Sequence, residues 1–453
     1  MSAKHHGVGT LRGIEHVPCS PFQRKERFGR LFPNLPGLSL DQEILLKLAN
    51  SMEEKSDKPS GDSPTIPAGF TFFGQFVDHD ITLDTTSSLE RQNDPEAIRN
   101  FRTPLLELDS VYGSGPEATP YLYDQEREGH LLTGNNDGNP EDLPRNKQGV
   151  ALIGDPRNDE NGILSQLQLG FLKFHNVVFE LVEKGKLKCT RYFDDDFREA
   201  QRLVRWHYQW IVVNEFLPLI IDRKVLRRIW KGLHCYQWDT EPFIPVEFAV
   251  AAYRFGHSQV RSKYVVNDKS GKRDLFRPPA SGLTAFEPVP PELVVDWKHF
   301  FEIGGSKPQA SRKIDTLVAK ELFQLPFIPP DGGRNSLPFR NLLRGESFAL
   351  PSGEAVACAL GVDPLSPREL GIRRFGIEQT PLWFYILKEA ECNAEDKLGE
   401  VGGTIVGEVF VGMLKGDSQS YLRVAPCWKP CLPAKKKGDF TLADLLVLAG
   451  KAS

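Results

Sequence analysis

Gly74-Gln75-Phe76-Val77-Asp78-His79-Asp80 sets an amide, two carboxylates and an imidazole into a short, otherwise apolar stretch. The run Phe70-Thr71-Phe72-Phe73 leads into it and predicts a buried helix, where polar groups without partners are costly. Gln75 and His79 lie four apart and Asp78 lies three from Gln75, so on a helix these three share a face. Asp80 is turned about 100° further round and serves a different neighbour. An isolated Asp-His-Asp is more often an N-cap beside a satisfied core histidine than a reactive group. The rest of the chain shifts that balance.

Outward from this segment the pattern is helical. Residues 66–81 read as one helix, followed by polar loop over 85–101. Residues 162–184 place Ile163, Leu164, Leu167, Phe171, Leu172, Val178, Leu181 and Val182 at 3.6-residue spacing. That predicts a long helix capped by Asn158 or Asp159 and ended by Gly185. Residues 197–217 predict an aromatic helix that stops at Pro218, and 245–265 a third. Others are expected near 313–322, 367–375, 382–391 and 402–414. Residues 113–150, with Gly, Pro, Asn and Asp throughout, predict long irregular structure. Residues 1–65 read as an extended N-terminal arm with a short helix at 39–52, wrapped on one large body over 66–453. There is no internal repeat and no sustained strand alternation, so the fold class is mostly α.

At 453 residues, two or three domains are possible, but helical enzymes of this size are often one body around one site. A net charge of -4 gives no reason to expect nucleic acid or an anionic membrane as a general partner. The basic residues among the first 30 and at Lys435-Lys436-Lys437 read as solvated surface. No run of 18 apolar residues predicts a membrane span, and the first residues lack the apolar core of a secretory signal, so a cytoplasmic location is expected. The seven cysteines are odd in number and scattered, which predicts reduced thiols. Cys427-x-x-x-Cys431 lacks the second ligand pair of a zinc site.

Four further segments carry groups able to join the first. In Thr103-Pro104-Leu105-Leu106-Glu107-Leu108-Asp109, the alternation of Thr103, Leu105, Glu107 and Asp109 gathers hard oxygen donors on one side of an extended loop, which suits Ca2+. Arg157 and Glu160 stand just before the long helix, where a capping box with an exposed pair would look the same. In Arg254-Phe255-Gly256-His257, the glycine lets something flat approach beside an imidazole. Asn341 and Arg344 lie three apart on a segment that otherwise reads as an ordinary polar helix face. Taken singly, each of these has a structural explanation at least as good.

In this order and at these separations, the five segments resemble the animal-type haem peroxidases of the peroxidase-cyclooxygenase superfamily, and within them the compact bacterial members. The resemblance runs from about residue 66 to about 425 and includes Pro381-Leu382-Trp383-Phe384 and Gly402-Gly403-Thr404-Ile405-Val406-Gly407-Glu408. It implies a single large helical haem-peroxidase domain that reduces H2O2 and oxidises halide or small organic donors through a ferryl intermediate, in a setting of oxidative stress. By that resemblance His79 is the distal acid-base histidine, Gln75 its partner and Arg157 the distal arginine. His257 is the proximal iron ligand, Asn341 accepts its other ring proton, and Arg344 pairs with a haem propionate. Asp78 and Glu160 match the carboxylates that form ester links to haem b in mammalian members. Asn161 stands where a third, sulfonium link would need methionine. Asp80, Thr103, the main-chain oxygen of Leu105, Glu107 and Asp109 match a calcium site, with Glu107 and Asp109 where mammalian members carry Asp and Ser.

Two alternatives follow within the superfamily. A fatty-acid dioxygenase needs a tyrosine three residues before the proximal histidine, and that position is Arg254; Tyr253, on an α-helix, would point to a different face. A non-catalytic haem-binding protein would have no use for the full set of His79, Arg157 and His257. Without haem, His79, His257 and a carboxylate would make a non-haem iron triad. The physiological donor, whether bromide, iodide, thiocyanate, a phenol or a lipid hydroperoxide, is not legible, nor is the oligomeric state.

Overall fold

The computed structural model describes residues 28–55, 58–83, 102–134, 139–238, 241–276, 282–283, 286–325, 328, 332–393 and 395–451. The loop expected at 85–101 and Cys19 lie outside them. Among the described residues there are nine helices of at least eight residues. They are α1 (Gln42–Asn50), α2 (Gly69–Ile81), α3 (Gly162–Glu183), α4 (Asp196–Ile211), α5 (Arg223–Lys231), α6 (Leu337–Ser347), α7 (Leu382–Cys392), α8 (Glu400–Gly416) and α9 (Leu442–Ala449). Six short strands, β1 (Glu53–Glu54), β2 (Asp62–Pro67), β3 (Lys263–Val265), β4 (Lys272–Asp274), β5 (Ala310–Arg312) and β6 (Val318–Ala319), make three two-stranded sheets. β1 pairs with β6 in parallel, while β2 with β5 and β3 with β4 are antiparallel. The fold is mostly α, as the sequence predicts.

The core is continuous, and α3 runs through it, packed against α2, α4 and α9. Phe76 of α2 stacks on Phe171 of α3 with ring centroids 4.4 Å apart. Phe70 and Phe73 pack around Phe216, so the aromatic run ahead of the His79 segment is core. On the opposite side, glycines let two helices close up. A Cβ at Gly403 or Gly407 of α8 would collide with Val225, Ile221 or Ile229, the side chains by which α5 and the residues before it dock. The N-terminal arm is not merely laid over this body. Leu31, Phe32, Leu45, Leu48 and Ala49 belong to the same core, and the buried Glu247 carboxylate accepts hydrogen bonds from the Leu31 and Phe32 amides at 3.0 and 3.2 Å.

Several boundaries differ from expectation, for identifiable reasons. α2 starts at Gly69 rather than 66, because Pro67 drives its predecessor to extended backbone and β2 takes Ile66. The α3 cap is neither Asn158 nor Asp159 but Asn161, whose side chain accepts from Leu164 N at 2.9 Å. Pro218 does not end the aromatic helix. Val212–Phe216 widens into a π turn and Pro218 falls in the first turn of the next piece, Leu217–Ile220, where a missing N–H is harmless. Residues 245–265 are not one helix but a π turn (Glu247–Ala251), a 3-10 turn (Ala252–His257) and then β3, where Tyr264-Val265-Val266 suits a strand. Near 313–322, Asp315 accepts from Leu317 N at 2.8 Å, and this local turn replaces the helix ahead of β6 and Lys320–Phe323. Residues 367–375 split into Pro367–Leu370 and Arg373–Phe375 at Gly371, which has φ 65°.

The cysteine expectation also needs correction. Cys189 and Cys431, 242 residues apart, are joined with a Cα–Cα distance of 5.7 Å. Cys235, Cys358, Cys392 and Cys427 are free. Their wide separation is what hid the pairing, since spacing signals only local partners.

Candidate active site

α2 presents two faces, and they do different work. Gln75, Asp78 and His79 line a cavity of about 430 Å3, while Asp80 points into protein toward the loop that begins at Arg102. The same cavity is lined by Arg157, Glu160 and Asn161 from the turn before α3, by Tyr253, Arg254, Gly256 and His257, and by Arg340, Asn341 and Arg344 of α6. Every catalytic or cofactor-binding residue expected from the sequence therefore faces one space.

Around His79 the polar groups form a closed set. Its Nδ1 lies 2.7 Å from Asn158 Oδ1, Asn158 Nδ2 donates to Gln168 Oε1 at 2.8 Å, and Gln168 Nε2 donates to the Ser110 carbonyl at 2.9 Å. An acceptor on Nδ1 puts the ring proton there and leaves Nε2 as a base. Burial and the Arg157 charge lower the pKa of His79 to about 4, so the ring is neutral at ordinary pH. Arg157 donates through Nε and Nη2 to Asp155 at 3.0 and 2.8 Å, and through Nη2 to the carbonyls of His79 and Thr82 at 3.0 and 2.6 Å. Burial alone would raise the Asp155 carboxyl, but the hydrogen bonds and charge of Arg157 outweigh it and hold it well below the usual range. The turn carrying these residues, Pro156–Asp159, is fixed by Arg145, which bridges Asp159 at 2.6 Å and Asp142 at 2.9 Å in buried ion pairs. Gln75 donates to Glu160, whose carboxyl is pushed up to about 7, first by burial. Asp78 accepts from the Thr82 hydroxyl at 3.1 Å.

On the other wall, His257 Nδ1 lies 2.7 Å from the Asn341 amide nitrogen. For His257 Nε2 to bind a metal, Asn341 must present its oxygen to Nδ1–H, which a half-turn of the amide achieves without moving another atom. Burial and Arg254 lower the pKa of His257 to about 3. A Cβ built on Gly256 would meet nothing within 4 Å, so the backbone beside this imidazole borders open space, as the sequence suggested. Tyr253 departs from expectation. The 3-10 winding brings it to the cavity wall, where its hydroxyl donates to the Gly74 carbonyl at 3.1 Å.

The expected oxygen cluster is only partly assembled. Leu108 adopts φ 63° and Asp109 opens a short helical turn, so the strict alternation of Thr103, Leu105, Glu107 and Asp109 is broken. Asp109 N donates to Asp80 Oδ1 at 3.0 Å, and the Thr103 hydroxyl donates to Glu107. Asp80 Oδ2 is buried and makes no hydrogen bond of normal geometry within the described residues, the equally unsatisfied Tyr208 hydroxyl being the group nearest to supplying one. Burial and then Asp109 push Asp80 up to about 8, and burial and then Glu107 push Asp109 up to about 6. An orphaned buried carboxylate oxygen among further carboxylates fits a hard cation. Among the described residues, the acid and histidine atoms gathered within 4.8 Å are instead those of Asp268, Asp296 and His299, where Lys298 already bridges both aspartates.

Sequence reading missed Asn158 as the partner of His79, Gln168 behind it, and the Asp142–Arg145–Asp159 anchor. A signal existed for Gln168, an amide on the stripe between Leu164 and Phe171 where an apolar residue belongs.

The family model for animal haem peroxidase matches residues 85–364, and the chain belongs to that family. It is 31% identical over 188 residues to chorion peroxidase of Drosophila melanogaster, covering 38% of this chain and 23% of that protein. It is 27% identical over 298 residues to a peroxidase-like protein of Margaritifera margaritifera, covering 59% of this chain and 36% of that protein. The chain thus spans well under two thirds of these relatives. Among solved structures, peroxidase A from Dictyostelium discoideum superposes with a TM-score of 0.59 at 16% identity, covering 88% of this chain and 87% of that one. Fatty acid alpha-dioxygenase of Oryza sativa gives 0.56 at 16%, covering 85% and 75%. At such identity these two show shared fold. Family membership implies haem, and the residues fit it. Two neutral histidines face one cavity within the roughly 300–1,000 Å3 usual for ligands, a glycine leaves space beside one of them, and Arg340 and Arg344 supply cations for two carboxylates.

Proposed function

We propose that the protein is a haem peroxidase that reduces H2O2 and oxidises halide or small organic donors. One observation carries this reading: the buried His79 and the half-buried His257 are both neutral, are both engaged through Nδ1, and line the same cavity with Arg157 beside the first. A non-haem triad is disfavoured, because no group containing both histidines and a carboxylate gathers within 4.8 Å among the described residues.

Haem, when bound here, would supply the two-electron chemistry that O–O cleavage requires. His257 Nε2 would bind its iron, with Asn341 Oδ1 accepting a hydrogen bond from Nδ1–H, and Arg344 and Arg340 would pair with its carboxylates. His79 Nε2 takes a proton from one oxygen of H2O2 and delivers it to the other, which departs as water. Arg157 offsets the charge that grows on that oxygen, with Asp155 keeping the guanidinium in place. Gln75, anchored by Glu160, positions the incoming molecule. Asp78 and Glu160 are the side chains for one or two ester links to haem b, formed on exposure to peroxide; Asn161 has no sulfur for a third. Asp80, Thr103, the main-chain oxygen of Leu105, Glu107 and Asp109 would hold Ca2+, which would anchor the segment carrying His79. We read 1–65 as an arm of the catalytic body over 66–453, into whose core its described residues Leu31, Phe32, Leu45, Leu48 and Ala49 pack.

The test is spectroscopic. Purified protein should show a Soret band that His257→Ala abolishes, whereas His79→Ala should keep the band and slow the reaction with H2O2 by about 10²-fold or more. Acidified butanone should release less haem from peroxide-treated parent than from Asp78→Val/Glu160→Gln, and equal release would reject the esters. A Soret band indifferent to peroxide would leave a non-catalytic haem binder. Oxygen uptake with a fatty acid, abolished by Tyr253→Phe, would favour the dioxygenase, for which Tyr253 on the cavity wall is the one favourable feature.

A further inference from the structure

α5 reads Arg223-Lys224-Val225-Leu226-Arg227-Arg228-Ile229-Trp230-Lys231 and docks by one face only. Val225 and Ile229, four apart, are buried against the glycine ridge of α8. Arg228 on the flank is spent within the fold, bonding Glu400 at 2.5 Å and the Thr404 hydroxyl at 2.7 Å. The opposite stripe is Arg223, Arg227, Trp230 and Lys231, at i, i+4, i+7 and i+8, with Lys224 beside it. All five are exposed, and none of the four cations has a carboxylate partner among the described residues. The nearby acids are already engaged: Asp222 caps the helix through Lys224 N and holds Asn393, and Glu400 holds Arg228. In a chain of net charge -4, this helix is a concentrated positive surface with an indole, 41% exposed, at its centre.

We propose that α5 is a peripheral membrane-contact site that seats its Arg223, Arg227, Trp230 and Lys231 face in the headgroup layer of an anionic bilayer. Neither a row of solvated lysines and arginines nor a single exposed indole needs a partner, but the two on one unpartnered helix face make a combined pattern that a bilayer surface matches. The interface of a bilayer takes up both, because indole settles at headgroup depth while Lys and Arg are drawn to anionic lipid. A polyanion such as nucleic acid or a sulfated polysaccharide would use the four charges and leave the indole without an apolar layer to enter.

Flotation of the full chain with vesicles tests this. Vesicles of phosphatidylcholine mixed with phosphatidylserine should retain the protein, and vesicles of phosphatidylcholine alone should not. Retention should fall at least about tenfold at high salt and in Arg227→Glu/Lys231→Glu, an exposed pair whose replacement leaves the circular dichroism unchanged. Trp230→Ala should weaken binding several-fold and remove the quenching of tryptophan fluorescence by bromine-labelled acyl chains. The proposal is overturned by equal retention on both kinds of vesicle or on neither, by a charge-reversed variant that binds like the parent, or by binding to heparin or duplex DNA that vesicles do not displace.

Discussion

His79 is held neutral by burial and by the Arg157 charge, and its proton is held on Nδ1 by Asn158. The first effect sets the pH range in which it is a base, and the second sets which nitrogen is the base. With a pKa lowered to about 4, the neutral ring is fully available above that value, so the rate of reaction with H2O2 should decline as pH falls through about 4. Replacing Asn158 by Leu removes the acceptor and lets the ring turn or change tautomer, with Gln168 left without its donor. The expected loss is about 10–100-fold in the rate constant for H2O2 with the Soret band unchanged, the usual scale for an orienting partner. Asn158→Asp should restore orientation while its carboxylate favours the imidazolium, moving the acid limb of the pH profile upward. A purely structural role would not move that limb. Stopped-flow profiles of parent and both variants check this, and a Leu variant at the parental rate would remove Asn158 from the relay.

At the scale of elements, α2 and the loop from Arg102 to Tyr112 are coupled through Asp80, and that coupling is sensitive to pH. A carboxyl raised to about 8 in the folded state holds a proton that the unfolded chain has lost, so it favours folding at low pH and ceases to do so as pH rises. Asp109, raised to about 6, acts in the same direction. A bound cation reverses the cost by stabilising both carboxylates. In chelator, the melting temperature should therefore fall as pH rises from the ordinary carboxyl value of 3.8 to about 8, and added Ca2+ should restore it at the upper end. Asp80→Asn should abolish the Ca2+ effect and remove the part of the pH dependence that extends from about pH 6 to about pH 8, leaving the part due to Asp109. A parent protein indifferent to Ca2+ across that range would reject the site. What was legible in the sequence follows the same division into local and distant causes. α2, α3, α7 and α8 were readable because 3.6-residue apolar spacing is written within each segment. The turns at 212–216 and 247–257 were not, because their winding answers to partners elsewhere: Phe216 to Phe70, Tyr253 to Gly74 and Glu247 to Leu31. Side chains carrying a recognisable chemistry, such as His79, Arg157 and His257, could be singled out from sequence, and they line one cavity. Asn158, which looks like any helix cap, declares itself only when its oxygen is seen beside His79.

At the scale of the whole molecule, the Cys189–Cys431 bond ties the chain just after α3 to the segment that returns over α4 and leads into α9. That segment is also packed on α4, where Trp428 meets His207 and Trp210 and Lys429 lies over the Trp210 ring. Cys431 N and Leu432 N reach His207 Nε2 at 3.3 and 3.4 Å, and Trp428 meets Trp206 with ring centroids 5.4 Å apart. A link between residues 242 apart removes much of the unfolded chain's freedom, so Cys189→Ser/Cys431→Ser should cost about 2–4 kcal/mol, read from denaturant midpoints of the haem-loaded protein. α9 buries Leu442, Leu445 and Leu446 against α3, so the loss should appear first as earlier exchange of the α9 amides, ahead of α2. A non-reducing digest of protein isolated with its thiols blocked should yield the two cysteine peptides joined. Disulfides persist where thiols are not kept reduced and are rare in a reducing cytosol. The same digest therefore bears on the cytoplasmic location expected from the sequence: recovery of both peptides as free thiols from the native source would reject the bond, and recovery of the joined pair would place the folded protein in an oxidising environment.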